Sequence, residues 1–188
     1  GNLKEPVTES TKKAARCFYA LEQNRADQKR YPAVNPIDSY SKYLEYPEIR
    51  EHLAEKVRPG WVEMVEKAKN TIRKGKDAND QINILGDDGV PMSYHELFWK
   101  SELVDFVILQ QDAFDAIDAL CPIERQSYML DLVLGICDKE FKFEDYEQCR
   151  NFFKELINLL RQMNYSEFKS EKFETYRQKL TNLLNNGN

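Results

Sequence analysis

The stretch from Lys29 to Ser41 contains the first aromatic side chain with a candidate binding role, Tyr31. It contains Tyr31-Pro32-Ala33-Val34-Asn35-Pro36, in which two X-Pro steps lie four residues apart. Because proline fixes φ and moves the preceding residue out of the α region, this stretch predicts rigid, extended backbone. It is either a structural corner or a surface that presents Tyr31 to a partner. Taken alone, the local residues favour the corner.

The second candidate is the stretch from Leu109 to Asp118, which contains Gln110 and Phe114. If the stretch is helical, one apolar face includes Leu103, Val107, Gln110, Phe114 and Ile117. A buried glutamine needs partners for both its oxygen and its NH₂ group. Gln110 is therefore either bonded to nearby backbone or part of a pocket wall with an amide beside a ring.

Other patterns that carry chemistry are absent from the sequence. The seven glycines form neither G-x-x-x-x-G-K-[ST] nor G-x-G-x-x-G, so no phosphate-binding loop is predicted. The four cysteines and two histidines complete no zinc pattern, and no serine or cysteine has a recognisable nucleophile signature. We therefore predict no catalytic residue and no metal ligand within the chain.

Composition limits the class of protein and its partners. The 188 residues are enough for one domain or two small ones, and 41% hydrophobic with 31% charged residues suits a soluble helical protein. A net charge of −5 gives no support to nucleic-acid or anionic-membrane binding. No stretch approaches the roughly 20 apolar residues of a bilayer span, and no signal-peptide pattern opens the chain. Scattered thiols in such a chain indicate a cytosolic protein.

Helical periodicity dominates from Pro47 onward, which predicts a mainly α fold, a bundle of about six to eight helices. Helices are predicted to begin at Pro47, Trp61, a capping box of Ser93 with Glu96, Pro122, ahead of Phe152, and after Ser166 or Ser170. Gly75 is predicted to end the helix that starts at Trp61, and the helix after Ser93 to be the most buried.

The N-terminal region is ambiguous. Residues 14–21 either start a helix that runs through Gln28 or form a buried strand that ends at Leu21, and periodicity does not separate the two for so short an apolar run. The chain begins at Gly1 and its first methionine is Met64, so a fragment cut from a longer protein is an expected origin.

Four separated motifs occur along the chain in this order: Glu5-Pro6-Val7-Thr8, Phe18-Tyr19-Ala20-Leu21-Glu22, Tyr31-Pro32-Ala33-Val34-Asn35 with Ser39-Tyr40-Ser41, and Gln110-Gln111-Asp112-Ala113-Phe114. Together they resemble the C-terminal region of the catalytic A subunit of V/A-type rotary ATPases. Cys121–Leu130 resembles the next helix of the same family. The resemblance covers about residues 1–135, and residues after Cys137 match only as helical pattern.

The resemblance implies which functional residues lie in this chain and which lie elsewhere in the parent subunit. In that family the phosphate loop, the catalytic carboxylate and the magnesium ligands lie upstream, outside this chain. Residues 1–30 would be the tail end of the nucleotide-binding domain, with 14–21 as a strand of its sheet, and 31–188 the C-terminal helical domain. Tyr31 and Phe114 match the family's aromatics that bracket adenine. The parent subunit would bind ATP or ADP with Mg, while the isolated chain is expected to be inactive and without a cofactor.

The resemblance also implies partners. These are the non-catalytic B subunits and the central-stalk subunits of a proton- or sodium-translocating machine, with a cytoplasmic location peripheral to the membrane and no direct membrane insertion. The helical domain would couple the nucleotide state to the rotor. The alternative is a stand-alone cytosolic helical module for protein interactions, with no nucleotide role.

Overall fold

Residues 5–186, the part of the chain that the computed structural model describes, contain eight α-helices and one two-stranded sheet, with short 3-10 helices at Lys42–Glu45 and Asp87–Gly89. The helices are α1 (Pro6–Ala14), α2 (Gln23–Asp27), α3 (Pro47–Lys56), α4 (Trp61–Leu85), α5 (Met92–Val104), α6 (Ile123–Cys137), α7 (Tyr146–Asn164) and α8 (Glu171–Asn186). The strands are β1 (Cys17–Phe18) and β2 (Tyr40–Ser41). A π-helical turn, Asp105–Leu109, follows α5 directly. The predicted mainly α fold is confirmed.

The chain forms two compact units, residues 1–63 and 64–188, and the boundary falls inside α4. The division predicted after residue 30 concerns the domains of a longer parent protein, and it stays a prediction.

In the first unit, residues 14–21 are not the start of a helix, so that alternative is wrong. α1 ends at Ala14, and β1 pairs antiparallel with β2, placing Cys17 opposite Ser41. The Ala20 N–H donates to Ser39 Oγ at 3.0 Å, and the Ala20 carbonyl accepts from the Asn35 N–H at 2.7 Å. Because these partners lie 15 or more residues away in sequence, the backbone is satisfied without a helix. The strand alternative holds only for two residues and a bridge at Leu21. The predicted burial of this strand is wrong, because Cys17 is exposed and Leu21 is 81% exposed.

In the second unit, α7 packs against both α5 and α8. Four residues of its predicted apolar stripe are at most 8% exposed, namely Phe153, Leu156, Ile157 and Leu160, whereas Phe152, the first residue of the stripe, is half-buried. Asp145 caps α7 by accepting from the Gln148 N–H at 2.8 Å, and Ser170, one of the two predicted caps, accepts from the Phe173 N–H at 3.2 Å before α8.

The prediction that Gly75 ends a helix is wrong, because α4 continues to Leu85. A Cβ built on Gly75 would lie 2.0 Å from Ser101 Cβ and 3.0 Å from the Leu97 carbonyl oxygen. The glycine therefore permits a close approach between α4 and α5 rather than a left-handed C-cap. The helix stops instead before Gly86, whose φ of 80° is left-handed.

The capping box at Ser93 is also not formed. Because α5 begins at Met92 with Pro91 as its N-cap, Ser93 lies within the first turn. No described side chain caps this helix. Pro91 takes extended backbone at φ −59° and ψ 150°, which is the N-cap geometry that a serine would otherwise supply. The expectation that this is the most buried helix is wrong too. Together with the π-helical turn that continues it, it has six buried residues among 18, whereas α6 has seven among 15.

The four cysteines are all unpaired and fall into two classes. Burial raises the pKa of Cys137 and of Cys149 to about 12, whereas Cys17 and Cys121 are exposed. At pH 8 a thiol with that pKa is thiolate about one part in ten thousand, and only the thiolate reacts.

We therefore expect a disulfide reagent at pH 8 to label two thiols rapidly in the native chain and four in denaturant. Replacing both exposed cysteines, Cys17→Ser with Cys121→Ser, should abolish the rapid phase. Rapid labelling that persists in that double variant would contradict the assignment.

Within residues 5–186, no helix combines the length and the apolarity that a bilayer span requires. Over the same residues, no three histidine, cysteine or carboxylate side chains converge where they could hold a metal ion.

Candidate functional site

Tyr31 lies in the first unit, on the corner between α2 and β2. The corner is held by two backbone hydrogen bonds with the segment before α2: the Glu22 N–H donates to the Ala33 carbonyl at 2.9 Å, and the Asn35 N–H donates to the Ala20 carbonyl at 2.7 Å. Together they form the antiparallel bridge between Leu21 and Val34. These contacts connect the motif of residues 18–22 to the motif of residues 31–35. The Tyr31 side chain itself is 55% exposed.

Asn35 shapes the far side of the same corner. Its Oδ1 accepts from the Ile37 N–H at 2.8 Å and from the Asp38 N–H at 2.9 Å, the pattern by which asparagine replaces backbone partners in a turn. The sequence pattern of two X-Pro steps therefore does form a corner. Because the corner leaves the Tyr31 ring accessible, presentation of the ring is compatible with it.

Phe114 lies in the second unit, in the loop of residues 110–122 between the π-helical turn and α6, and its side chain is fully exposed. The shared helical face with Leu103 and Val107 is therefore wrong. Aspartates shape the loop: Asp112 Oδ1 accepts from the Phe114 N–H at 2.9 Å, and Asp115 Oδ1 accepts from the Asp118 N–H at 2.8 Å. Such side-chain acceptors compete with helical hydrogen bonds, which explains why the helix does not continue.

Gln110 lines a cavity of about 250 Å³ at the base of this loop, with Val107, Gln111 and Met129 among the other lining residues. Its Nε2 is buried and finds no hydrogen-bond partner among the described residues. The interpretation that backbone satisfies its NH₂ group is wrong, and the amide does form part of a pocket wall. The predicted ring beside the amide is wrong, because none of the residues that line the cavity is aromatic and Phe114 is not among them.

The sequence interpretation missed a buried ion pair under the loop. Arg125, 1% exposed, lies 3.5 Å from a carboxylate oxygen of Asp118 through Nη2. Burial raises the pKa of Asp118, while the hydrogen bond from the Asp112 N–H and the charge of Arg125 oppose that rise. The signal that could have found the pair is Arg125 itself, since it occupies the apolar stripe of α6 with Met129 and Val133.

The two predicted site residues thus belong to different compact units, and each presents an accessible ring. An exposed aromatic side chain provides a flat face on which a base can stack. Their roles as a pair stay a prediction.

Comparison with known proteins gives the chain a family context. The model of a family described as the C-terminal domain of V and A type ATP synthase matches residues 50–150. Curated proteins called V-type ATP synthase alpha chain are similar over nearly the whole chain. The one from Chlamydia abortus is 39% identical over 174 residues, covering 93% of this chain and 29% of its own length. The one from Chlamydia pneumoniae is 39% identical over 184 residues, covering 98% and 31%. The chain therefore spans about 30% of the length of these relatives.

Among solved structures, one described as a unique ATP synthase subunit NeqB from Nanoarcheaum equitans superposes with a TM-score of 0.56. It is 17% identical in sequence, and the match covers 74% of this chain and 32% of that one. At this level of identity the likeness supports the fold.

Proposed function

Since the chain belongs to the family of C-terminal domains of V and A type ATP synthases, we propose that it is the C-terminal part of the catalytic subunit of a rotary ATPase, in which Tyr31 and Phe114 bracket the adenine ring. The observation that carries this proposal is the exposure of both rings, 55% for Tyr31 and complete for Phe114. Backbone hydrogen bonds define the loop of Tyr31, and aspartate side chains that accept from backbone N–H groups define the loop of Phe114. Stacking a base on an aromatic side chain contributes about 1–3 kcal/mol.

The parent subunit supplies the rest of the chemistry. The phosphate loop, the catalytic carboxylate and the magnesium ligands lie in its upstream part, and ATP or ADP with Mg binds there. The 188-residue chain alone is inactive and holds no nucleotide firmly, because the phosphates carry most of the charge that a protein can recognise.

Residues 1–30 are the end of the nucleotide-binding domain in this proposal. Tyr19 and Leu21 support this division, since they are 76% and 81% exposed while Ala20 between them is 2% exposed. Such alternation is typical of a strand with one face covered. In the parent subunit the segment pairs with the strands of that sheet, and the open apolar face is covered by another layer of the nucleotide-binding domain.

In the assembled machine, B subunits flank the parent subunit and central-stalk subunits contact it, at the cytoplasmic side of a membrane-embedded proton or sodium motor. The helical domain transmits the nucleotide state to the rotor. A stand-alone interaction module has less support, because the similarity to longer relatives extends over 93% of the chain.

The test uses the full-length subunit in its complex. Phe114→Ala and Tyr31→Ala should each weaken ATP binding about 5- to 150-fold, the equivalent of about 1–3 kcal/mol of lost stacking. Calorimetric titration with ATP measures the affinity. Phe114→Tyr and Tyr31→Phe are the matched controls, since each keeps a ring and should keep the affinity. Unchanged ATP affinity in both alanine variants would overturn the adenine assignment.

A further inference from the structure

A buried polar cluster underlies the loop that carries Phe114. Arg125 from α6, Asp118 from the loop and Asn164 from the end of α7 are 1%, 7% and 9% exposed. Burying a charged group is costly unless it is paired and hydrogen-bonded. The side chains of this cluster must therefore keep their contacts with one another.

All three nitrogens of the Arg125 guanidinium have partners. Nη1 donates to the Asn164 carbonyl at 2.9 Å, Nη2 lies 3.5 Å from Asp118 Oδ1, and Nε lies 3.3 Å from Cys121 Sγ. The planar group therefore connects two residues in the C-terminal half of the loop, Asp118 and Cys121, to the end of α7. A lysine ammonium is a single point of charge and does not reproduce these directions together.

Asp118 passes this anchorage on to Phe114 through short hydrogen bonds. Its Oδ2 accepts from the Asp112 N–H at 2.7 Å, and its backbone carbonyl accepts from Gln111 Nε2 at 2.7 Å. Asp112 in turn accepts from the Phe114 N–H at 2.9 Å. The backbone at Phe114 is thus two hydrogen bonds away from the carboxylate that faces Arg125.

Asn164 fixes the other end of the loop. Its Nδ2 donates to the Val107 carbonyl at 2.8 Å, within the π-helical turn that precedes the loop. Both ends of the loop are therefore tied to the last residue of α7, one directly and one through Arg125.

We propose that Arg125 is a positioning residue that sets the orientation of Phe114 for base stacking, by clamping Asp118 to the end of α7. This inference rests on the adenine role proposed above. It means that the position of the stacking ring follows the position of α7, which gives the helical domain a direct mechanical connection to the base.

The clamp is tested first in the 188-residue chain, by amide hydrogen exchange and without nucleotide. In Arg125→Lys and in Asp118→Asn, the amides of Asp112 and Phe114 should exchange about tenfold faster, while those in the middle of α7 keep their protection. Arg73→Lys is the matched control, because that arginine is exposed on α4. Unchanged loop exchange in both cluster variants would overturn the clamp.

The consequence for the base is tested in the full-length subunit, with ATP and with inorganic tripolyphosphate, which has no base. Arg125→Lys should weaken ATP binding about tenfold and leave tripolyphosphate binding unchanged, since only the stacking ring is displaced. An equal loss for both ligands would mean a general loosening and would overturn the positioning role. Normal ATP binding by Arg125→Lys, where Phe114→Ala binds weakly, would overturn the positioning role alone. Normal ATP binding by Phe114→Ala would overturn the adenine role of Phe114, and the inference with it.

Discussion

Replacing Arg125 with methionine is expected to lower the free energy of unfolding of the second unit by about 3–5 kcal/mol, the usual cost of removing one partner of a buried ion pair. The substitution keeps an apolar stem on α6 but leaves the Asp118 carboxylate and the Asn164 carbonyl without the group that contacts them. Removing one partner costs more free energy than the intact ion pair contributes, because the desolvation of the remaining buried carboxylate is no longer offset.

Urea unfolding followed by tryptophan fluorescence measures this loss. The chain has two tryptophans, so a Trp61→Phe background leaves Trp99 as a reporter inside the second unit. Arg73→Met is the surface control, because Arg73 is exposed on α4 in the second unit, and it should change stability by less than about 0.5 kcal/mol. Adding Asp118→Asn to Arg125→Met should restore part of the loss, since the two side chains act as a pair. A loss for Arg125→Met no larger than that of the surface control would contradict the role of the pair.

Two glycine substitutions are expected to change stability in opposite directions. Gly75→Ala should destabilise the chain by about 1–3 kcal/mol, because the new Cβ overlaps the Cβ of Ser101 and approaches the backbone at Leu97. Gly135→Ala should stabilise it by up to about 1 kcal/mol, because no described atom outside its own helix backbone lies within 4 Å of the new Cβ and alanine favours a helix.

Both glycines lie inside helices of the second unit, so the same substitution has the same intrinsic effect on helix propensity at the two sites. The difference in the midpoint of urea unfolding between the two variants isolates the packing of α4 on α5. If both variants were stabilised, the close approach at Ser101 would be wrong. A third variant, Gly75→Ala with Ser101→Gly, should recover part of the loss by removing the Cβ that overlaps.

Local sequence patterns predicted the helices whose stability is decided locally. The stripe of Phe153, Leu156 and Leu160 predicted α7, and Ser170 predicted the start of α8, because a helical period of 3.6 residues and a capping side chain act over a few positions. The family context was also available from the sequence, since its motifs are short and keep their order along the chain.

The same patterns failed where a distant partner decides the outcome. Glycine is common at helix ends, yet the role of Gly75 depends on Ser101, 26 residues later. Residues 14–21 suited a helix or a strand equally, and the hydrogen bonds from Ser39 and Asn35 selected an extended segment. In both cases the competing local conformations are close in free energy, so a few long-range contacts are enough to choose between them.

The sequence by itself determined the helical class, the resemblance and the two aromatic candidates, because these depend on residue type and short-range order. Only the tertiary structure decided that Phe114 stands on an exposed loop, that Gln110 faces a cavity, and that Arg125 is buried against Asp118. The physical reason is that burial and pairing of polar groups depend on which distant elements meet, and a one-dimensional pattern does not contain that information.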